Sequence, residues 1–347
     1  MDLLKFILLP FVPVYSFVMY VRNLFFDKGI FKSTKVNAKV ISVGNITVGG
    51  SGKTPTVIYL SNLLKNESLN VGVLSRGYGR KSSGYLLVSD GKSTLTEVSK
   101  CGDEIYQTAI ECKVPAAVSE NRVKGSEKFI RDTNVKVIIL DDAYQHRWIY
   151  RDINVLICEQ RFLTEPEYFR RKLLPAGSMR ESFKAISRAD LVIINRKFSE
   201  QKEIPSELKK YFEGKKIFTA KYKAVSFVDV KKKTSYDLQD FEGQKSLVVS
   251  GVANPFSFLN ALKQTRVETV NKIIFRDHKN YTLKEVQRIR KEFYATNSHS
   301  VVTTEKDAVK LSMFSKELDD IDIFYLKIEI VPDDEKSFRD FIINKLT

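Results

Sequence analysis

The segment Thr47-Val-Gly-Gly-Ser-Gly-Lys-Thr54 restricts the fold of this chain more than any other. It follows the apolar run Lys39-Val-Ile-Ser-Val-Gly44, which reads as a buried strand, and precedes Thr56 to Lys65, whose spacing predicts a helix. A glycine-rich turn between strand and helix aims successive backbone amides at one point and so makes a cradle for phosphate oxygens. The phosphate-loop pattern G-x-x-x-x-G-K-[ST] is met at Gly52, Lys53 and Thr54, with Thr47 in place of the first glycine and Gly49 and Gly50 loosening the turn. The expected nucleotide contacts are therefore Thr47, Val48, Gly49, Gly50, Ser51, Gly52, Lys53 and Thr54. In this scheme Lys53 bridges the β- and γ-phosphates, and the Thr54 hydroxyl faces Mg²⁺. Pro55 is tolerated in the first helical turn.

Such a fold needs a carboxylate at a strand end to hold the metal. Asp141 and Asp142 supply two, directly after the apolar run Val135 to Leu140. Further strand-like runs occur at Val71 to Leu74, Ile153 to Ile157 and Asp190 to Ile194, alternating with helical stretches. This alternation predicts an α/β fold of the phosphate-loop NTPase type: a mostly parallel sheet with helices on both faces. The stretch Ala220 to Lys233 reads as a strand or linker. A second α/β pattern then begins at Ser246 to Ser250 and continues through Lys272 to Phe275, a helix from Thr282 to about Tyr294, and Val301 to Thr303. We expect three parts: an N-terminal apolar helical segment, residues 1–30; a phosphate-loop domain, 31–225; and a smaller C-terminal α/β domain, 226–347.

Residues Phe6 to Val21 form sixteen consecutive positions without a charge, flanked by Lys5, Arg22 and Lys28. As a helix they would reach about 24 Å, short of the ~30 Å hydrocarbon core, and Pro10 and Pro13 would interrupt an interior helix. Three readings stay open: a helix lying in the membrane interface, a short or tilted anchor, and a core helix of a soluble domain. The basic flanks favour the first two, because an anionic cytoplasmic leaflet attracts them. The whole chain carries 57 Lys and Arg against 42 Asp and Glu, a net charge of +15. An acidic partner follows: a nucleic acid, an anionic membrane surface or a phosphorylated substrate. No nucleic-acid motif is present, so that partner class is not expected. Three cysteines without C-x-x-C spacing argue against a disulfide framework or a zinc cluster.

A phosphate loop does not by itself name the reaction. No guanine-reading N-K-x-D is found, which argues against a GTPase switch; a membrane-seated partitioning ATPase remains a rival. A kinase needs a base near the acceptor hydroxyl. Asp103, in Gly102-Asp103-Glu104, reads either as a helix cap or as that base. Asp277-His278 is the other candidate, since an imidazole and a carboxylate from different domains can tune each other.

Taken in order, these segments resemble the tetraacyldisaccharide 4′-kinase, or lipid A 4′-kinase, family. The segments are Thr47 to Pro55, Arg76-Gly-Tyr-Gly79, Gly102-Asp-Glu104, Asp141-Asp-Ala-Tyr-Gln-His146, Leu174-Pro-Ala-Gly177 with Arg180-Glu181, Asp277-His278 with Tyr281, and Thr304-Glu-Lys-Asp307. The resemblance spans nearly the whole chain. It implies ATP-dependent phosphorylation of the 4′-hydroxyl of a tetraacylated glucosamine disaccharide 1-phosphate, giving lipid IVA. It places that step on the cytoplasmic face of the inner membrane and implies no obligate protein partner. It further implies that Asp103 is the base, assisted by His278, with Lys53 acting on the phosphates and Asp141 and Asp142 serving Mg²⁺. Departures from the family pattern are Ile105, Ala143, Tyr144 and Ser178, none of which removes a reacting group. Arg76, Gln145, Arg170, Arg171 and Arg180 are candidate contacts for the acidic lipid acceptor, with Lys172 and Arg188 in the same basic cluster. Thr304 to Asp307 has no role beyond an expected fold-stabilising hydrogen-bond network.

Overall fold

The computed structural model describes residues 2–165, 167–252, 255–276 and 279–346. Two compact units form, and each is described by itself. The first holds the residues up to Lys221 together with those from Ile330 onward; the second is Tyr222–Glu329.

The first unit is built on strands β1 (Lys39–Gly44), β2 (Val71–Ser75), β3 (Leu86–Asp90), β4 (Pro115–Val118), β5 (Val137–Asp141), β6 (Ile153–Glu159), β7 (Leu191–Lys197) and the first part of β8 (Lys216–Asp229). Their order is β8-β7-β6-β1-β5-β2-β4-β3, parallel throughout except for β3, which runs antiparallel on the edge. The expected mostly parallel α/β sheet is the one that forms. β2 and β5 are buried at every position, which requires cover on both faces and explains their unbroken apolar sequences. The central strand β1 lies between β5 and β6. Register sets Val43 beside Asp141 and Leu74 beside Leu140, so the C-terminal ends of β1, β2 and β5 open onto one edge. Ligands of parallel sheets bind at that edge, where the strand order reverses. The helix Lys53–Asn66 follows β1 and buries Val57, Leu60, Ser61 and Leu64, the three-to-four spacing of a helix face.

The second unit carries β9 (Ser235–Tyr236), β10 (Ser246–Ser250), β11 (Lys272–Ile274), β12 (Ser300–Thr304) and β13 (Ile323–Pro332). β11, β10, β12 and β13 lie in that order, all four joined in parallel register, and β9 pairs antiparallel with the latter part of β8. Leu247, Val249, Ile289, Val301, Leu311 and Ile323 fill its core. Thr304 to Asp307 acquires a role here. Thr304 caps the helix Glu305–Leu311, and buried Asp307 accepts hydrogen bonds from the Gly251 amide (2.8 Å) and the Thr304 hydroxyl (2.7 Å).

Of the two readings of Ala220 to Lys233, strand or linker, the strand is the one that forms, as the latter part of β8. One feature differs from the sequence expectation. The C-terminal residues, expected within the second domain, return to the first unit. In the helix Glu335–Leu346, Phe338 packs edge-on against Tyr59 and Phe218, and Arg339 pairs with Glu67; just ahead of it, Asp333 pairs with Arg196. A cut at one point in the sequence cannot describe a chain that leaves a unit and comes back.

At the N-terminus, the helices Asp2–Leu8 and Val12–Asp27 are joined by the 3₁₀ turn Leu9–Phe11. Pro10 and Pro13 each fall in the first turn of an element, where no amide donor is needed, so neither breaks the rod. Lys5–Asp27 therefore runs as 23 helical residues, about 34 Å, and is long and apolar enough to cross a membrane. The core-helix reading is corrected. Phe6, Phe11 and Phe17 are 55%, 57% and 66% exposed, and the helix meets the sheet domain through Tyr15, Arg22, Asn23 and the buried Phe26.

Candidate active site

β1 delivers the chain into the phosphate loop. Thr47 pairs with Met179 in an antiparallel bridge, and the Val48 amide donates to the Ser178 carbonyl at 2.7 Å. The first loop position is thus ordinary strand backbone, which explains how a threonine serves there. Gly49 and Gly52 take φ values of +103° and +104°, where a side chain would be strained. The flap 178–180 can lie along the loop because of Gly177, where a Cβ would sit 1.9 Å from the Lys172 carbonyl oxygen. Ser51 is held from two sides. The buried Asn45 amide donates to its hydroxyl at 2.8 Å, and buried Asn195, on β7, donates to its carbonyl at 3.0 Å. Neither asparagine stood out in the sequence. Their signal is a polar residue at the end of an apolar run. A loop held this way is pre-organised by the surrounding fold.

The acids lie one strand away. Asp142, in a left-handed turn (φ 48°) that Asp tolerates, receives both Arg180 and Lys53. Arg180 Nη1 reaches its two oxygens at 2.8 and 3.0 Å, and Lys53 Nζ lies 3.7 Å from Oδ1. Asp141 is 2% exposed. Burial, together with the charges of Glu104 and Asp142, pushes its carboxyl up to about 7 against the pull of Lys53 and Arg122. Among the described residues its Oδ1 has no hydrogen-bond partner. Behind it lies buried Arg122, which bonds the Asp141 and Ser119 carbonyls and which burial pushes down to about 10. Glu104 and Arg122 are thus parts of the site that the spacing did not single out. Partial burial and the nearby Arg122 push the half-buried His146 down to about 4, so it is neutral at pH 7.

Asp103 begins the helix Asp103–Cys112, which packs alongside Lys53–Asn66. The cap is Gly102, without a side-chain bond. Asp103 instead sits half-buried in the first turn, its Oδ1 accepting the Glu104 amide at 3.1 Å. The charge of the adjacent Glu104 acts on Asp141 and helps raise its carboxyl. His278 lies outside the described residues. Of the proposed acceptor contacts, Arg180 joins the site, Arg76 leaves β2 exposed and within the field of Arg122, and the Gln145 amide holds the Asn45 carbonyl at 2.8 Å. Arg170 and Arg171 are occupied elsewhere. The first faces Glu159 and Glu167, at 3.8 and 3.5 Å; the second faces the Leu163 carbonyl and Glu207. Among the described residues no group of three or more His, Cys, Asp or Glu is arranged to hold a metal by itself.

This geometry has known counterparts. Residues 4–347 match the family model described as tetraacyldisaccharide-1-P 4'-kinase. A tetraacyldisaccharide 4'-kinase of Desulfatibacillum aliphaticivorans is 33% identical, covering 96% of this chain and 90% of its own length. One from Halothermothrix orenii is 34% identical, covering 94% and 88%. A crystal structure of LpxK from Aquifex aeolicus in complex with ATP superposes with a TM-score of 0.81 at 31% identity, over 99% of this chain and all of that one. With the phosphate loop, the acidic pair and the whole length accounted for, the chain belongs to the tetraacyldisaccharide-1-P 4'-kinase family.

Proposed function

We propose that this protein transfers the γ-phosphoryl group of ATP to the 4′-hydroxyl of a tetraacylated glucosamine disaccharide 1-phosphate, at the cytoplasmic face of the inner membrane. The observation that carries this reading is the meeting of Lys53, Arg180 and the Asp141–Asp142 pair at the mouth of a pre-scaffolded phosphate loop, in a chain matched end to end by that family. The loop amides and Lys53 hold the β- and γ-phosphates. Arg180, paired with Asp142, is placed to exchange that partner for the acceptor or the transferring phosphoryl group. Asp103, at a helix start beside the acids, takes the proton of the attacking hydroxyl. The part implied for His278 rests on the resemblance alone.

The residues fit a hard divalent cation. Thr54 opens the helix behind the loop, and Asp141 presents a buried carboxylate oxygen without a hydrogen-bond partner among the described residues. Mg²⁺ held by Thr54, Asp141 and Asp142, with Glu104 close by, would supply charge neutralisation at the phosphates. The protein's own contribution is to keep those oxygens fixed and dry.

The exposed apolar helix and the basic surplus suit an acceptor that resides in an anionic bilayer. Incubation with γ-labelled ATP and the acylated disaccharide, followed by thin-layer separation, is expected to move the label into lipid. Label appearing only as free phosphate would favour a nucleotide-driven switch and end this reading. Deleting residues 1–21 is expected to cut cosedimentation with phosphatidylglycerol vesicles by about tenfold or more. Undiminished pelleting of the truncated protein would remove the helix as the anchor.

A further inference from the structure

The helix Val12–Asp27 is joined to the domain by a polar seam. The Tyr15 hydroxyl donates to the Arg180 carbonyl at 2.9 Å. Asn23 Nδ2 donates to Glu181 Oε2 at 2.7 Å. Arg22 donates to the Gln145 carbonyl, and Arg147 returns bonds to the Asn23 carbonyl (3.2 Å) and Asp27 (2.7 Å).

Two chains of contacts lead from this seam to the phosphate loop. In one, Glu181 is 2% exposed and clasped by both terminal guanidinium nitrogens of Arg188, Nη2 at 2.8 Å and Nη1 at 2.9 Å. Burial would raise its carboxyl, but Arg188 and Asn23 outweigh that and keep it below the usual carboxylate range. Its neighbour Arg180 donates its amide to the Ile46 carbonyl at 2.7 Å, one residue before Thr47, and directs its side chain onto Asp142. In the other, Gln145 donates to the Asn45 carbonyl, and the Asn45 side chain donates to Ser51 within the loop. A helix required only to bind lipid has no need of buried, charge-assisted hydrogen bonds to the turn beside the phosphate loop, since bonds of that class are the strong, geometrically specific ones.

We infer that Tyr15, Arg22 and Asn23 are positioning residues for nucleotide binding: the seating of the N-terminal helix sets Arg180, Asp142 and the phosphate loop. Membrane engagement and ATP-site geometry are then one coupled property, because a helix pulled off its seam takes the Arg180–Glu181 turn with it. The inference deepens the proposed kinase reading, and its first readout needs no acceptor lipid.

Asn23→Leu keeps the side-chain size and makes the helix no less apolar. In the full-length protein without lipid, its affinity for a fluorescent ATP analogue is expected to fall about tenfold, the effect of one lost hydrogen bond to a charged group. kcat for lipid phosphorylation should fall with it, while the KM for lipid and binding to phosphatidylglycerol vesicles stay within twofold. Tyr15→Phe removes one hydroxyl only and is expected to shift nucleotide affinity about threefold in the same direction; it decides the matter if Asn23→Leu does not fold. Nucleotide affinity within twofold of wild type in both variants, or a rise confined to lipid KM, overturns the coupling. Wild-type protein that binds the analogue but labels no lipid would defeat the kinase reading and leave the seam measurable.

Discussion

Asp103→Ala is expected to lower kcat for lipid phosphorylation by roughly 10²–10⁴-fold, the range that a positioned general base supplies, with ATP affinity nearly unchanged. The expectation follows from placement. Asp103 occupies the first turn of its helix, half-buried, with one oxygen engaged by the Glu104 amide. Gly102 serves as the cap, so removing the Asp103 carboxylate takes away little of the helix's own stabilisation. In the proposed scheme the nucleotide contacts belong to the loop and Lys53, which Asp103 does not build. Turnover unchanged in Asp103→Ala would remove it from the chemistry. A parallel loss of ATP affinity would make it a loop residue instead.

Asp141→Asn should separate activity from stability. Kinase activity is expected to fall roughly 10²-fold or more, because a neutral amide is a poor ligand for a hard cation. Stability measured by urea denaturation in EDTA is expected to rise. Burial and the neighbouring Glu104 and Asp142 lift the Asp141 carboxyl from its unfolded value of 3.8 to about 7. Between those values the folded chain binds more protons than the unfolded one, so the stability of the wild type falls as pH rises across that window and levels off above about 7. The advantage of the asparagine variant should therefore open between pH 4 and pH 7 and persist at pH 8. Saturating Mg²⁺ should reverse the order, since a ligand that binds only the folded wild type stabilises it by mass action. A variant no more stable than wild type at pH 8 in EDTA would show that Asp141 is not held as a costly buried anion.

Much of the fold was legible because parallel strands buried on both faces are written as short runs of Val, Ile and Leu. β1, β2, β5, β6, β7 and β10 were all found that way. β3, β4 and β13 were not. β4 has only four residues, β3 reads LLVSD with just three apolar positions, and the half-exposed β13 reads IFYLKIEIVP, without a continuous apolar run. The N-terminal prolines were misjudged for a related reason: position within an element, rather than presence, decides whether proline breaks a helix. Basic side chains were the least legible. Arg170, Arg171 and Arg180 lie within eleven residues of one another, yet one faces Asp142 and the others face acids away from the site.

The order of motifs along the chain settled the family and located the phosphate loop and the acidic pair, because each depends on backbone geometry over a few consecutive residues. Only the tertiary structure decided which side chains those elements share. Arg180 and Asp142 are 38 residues apart, Asn195 and Ser51 are 144, and Asn23 and Glu181 are 158. Local propensity carries no record of such pairings. They form where sheet register and burial bring distant groups into low dielectric and leave each of them the other as its partner.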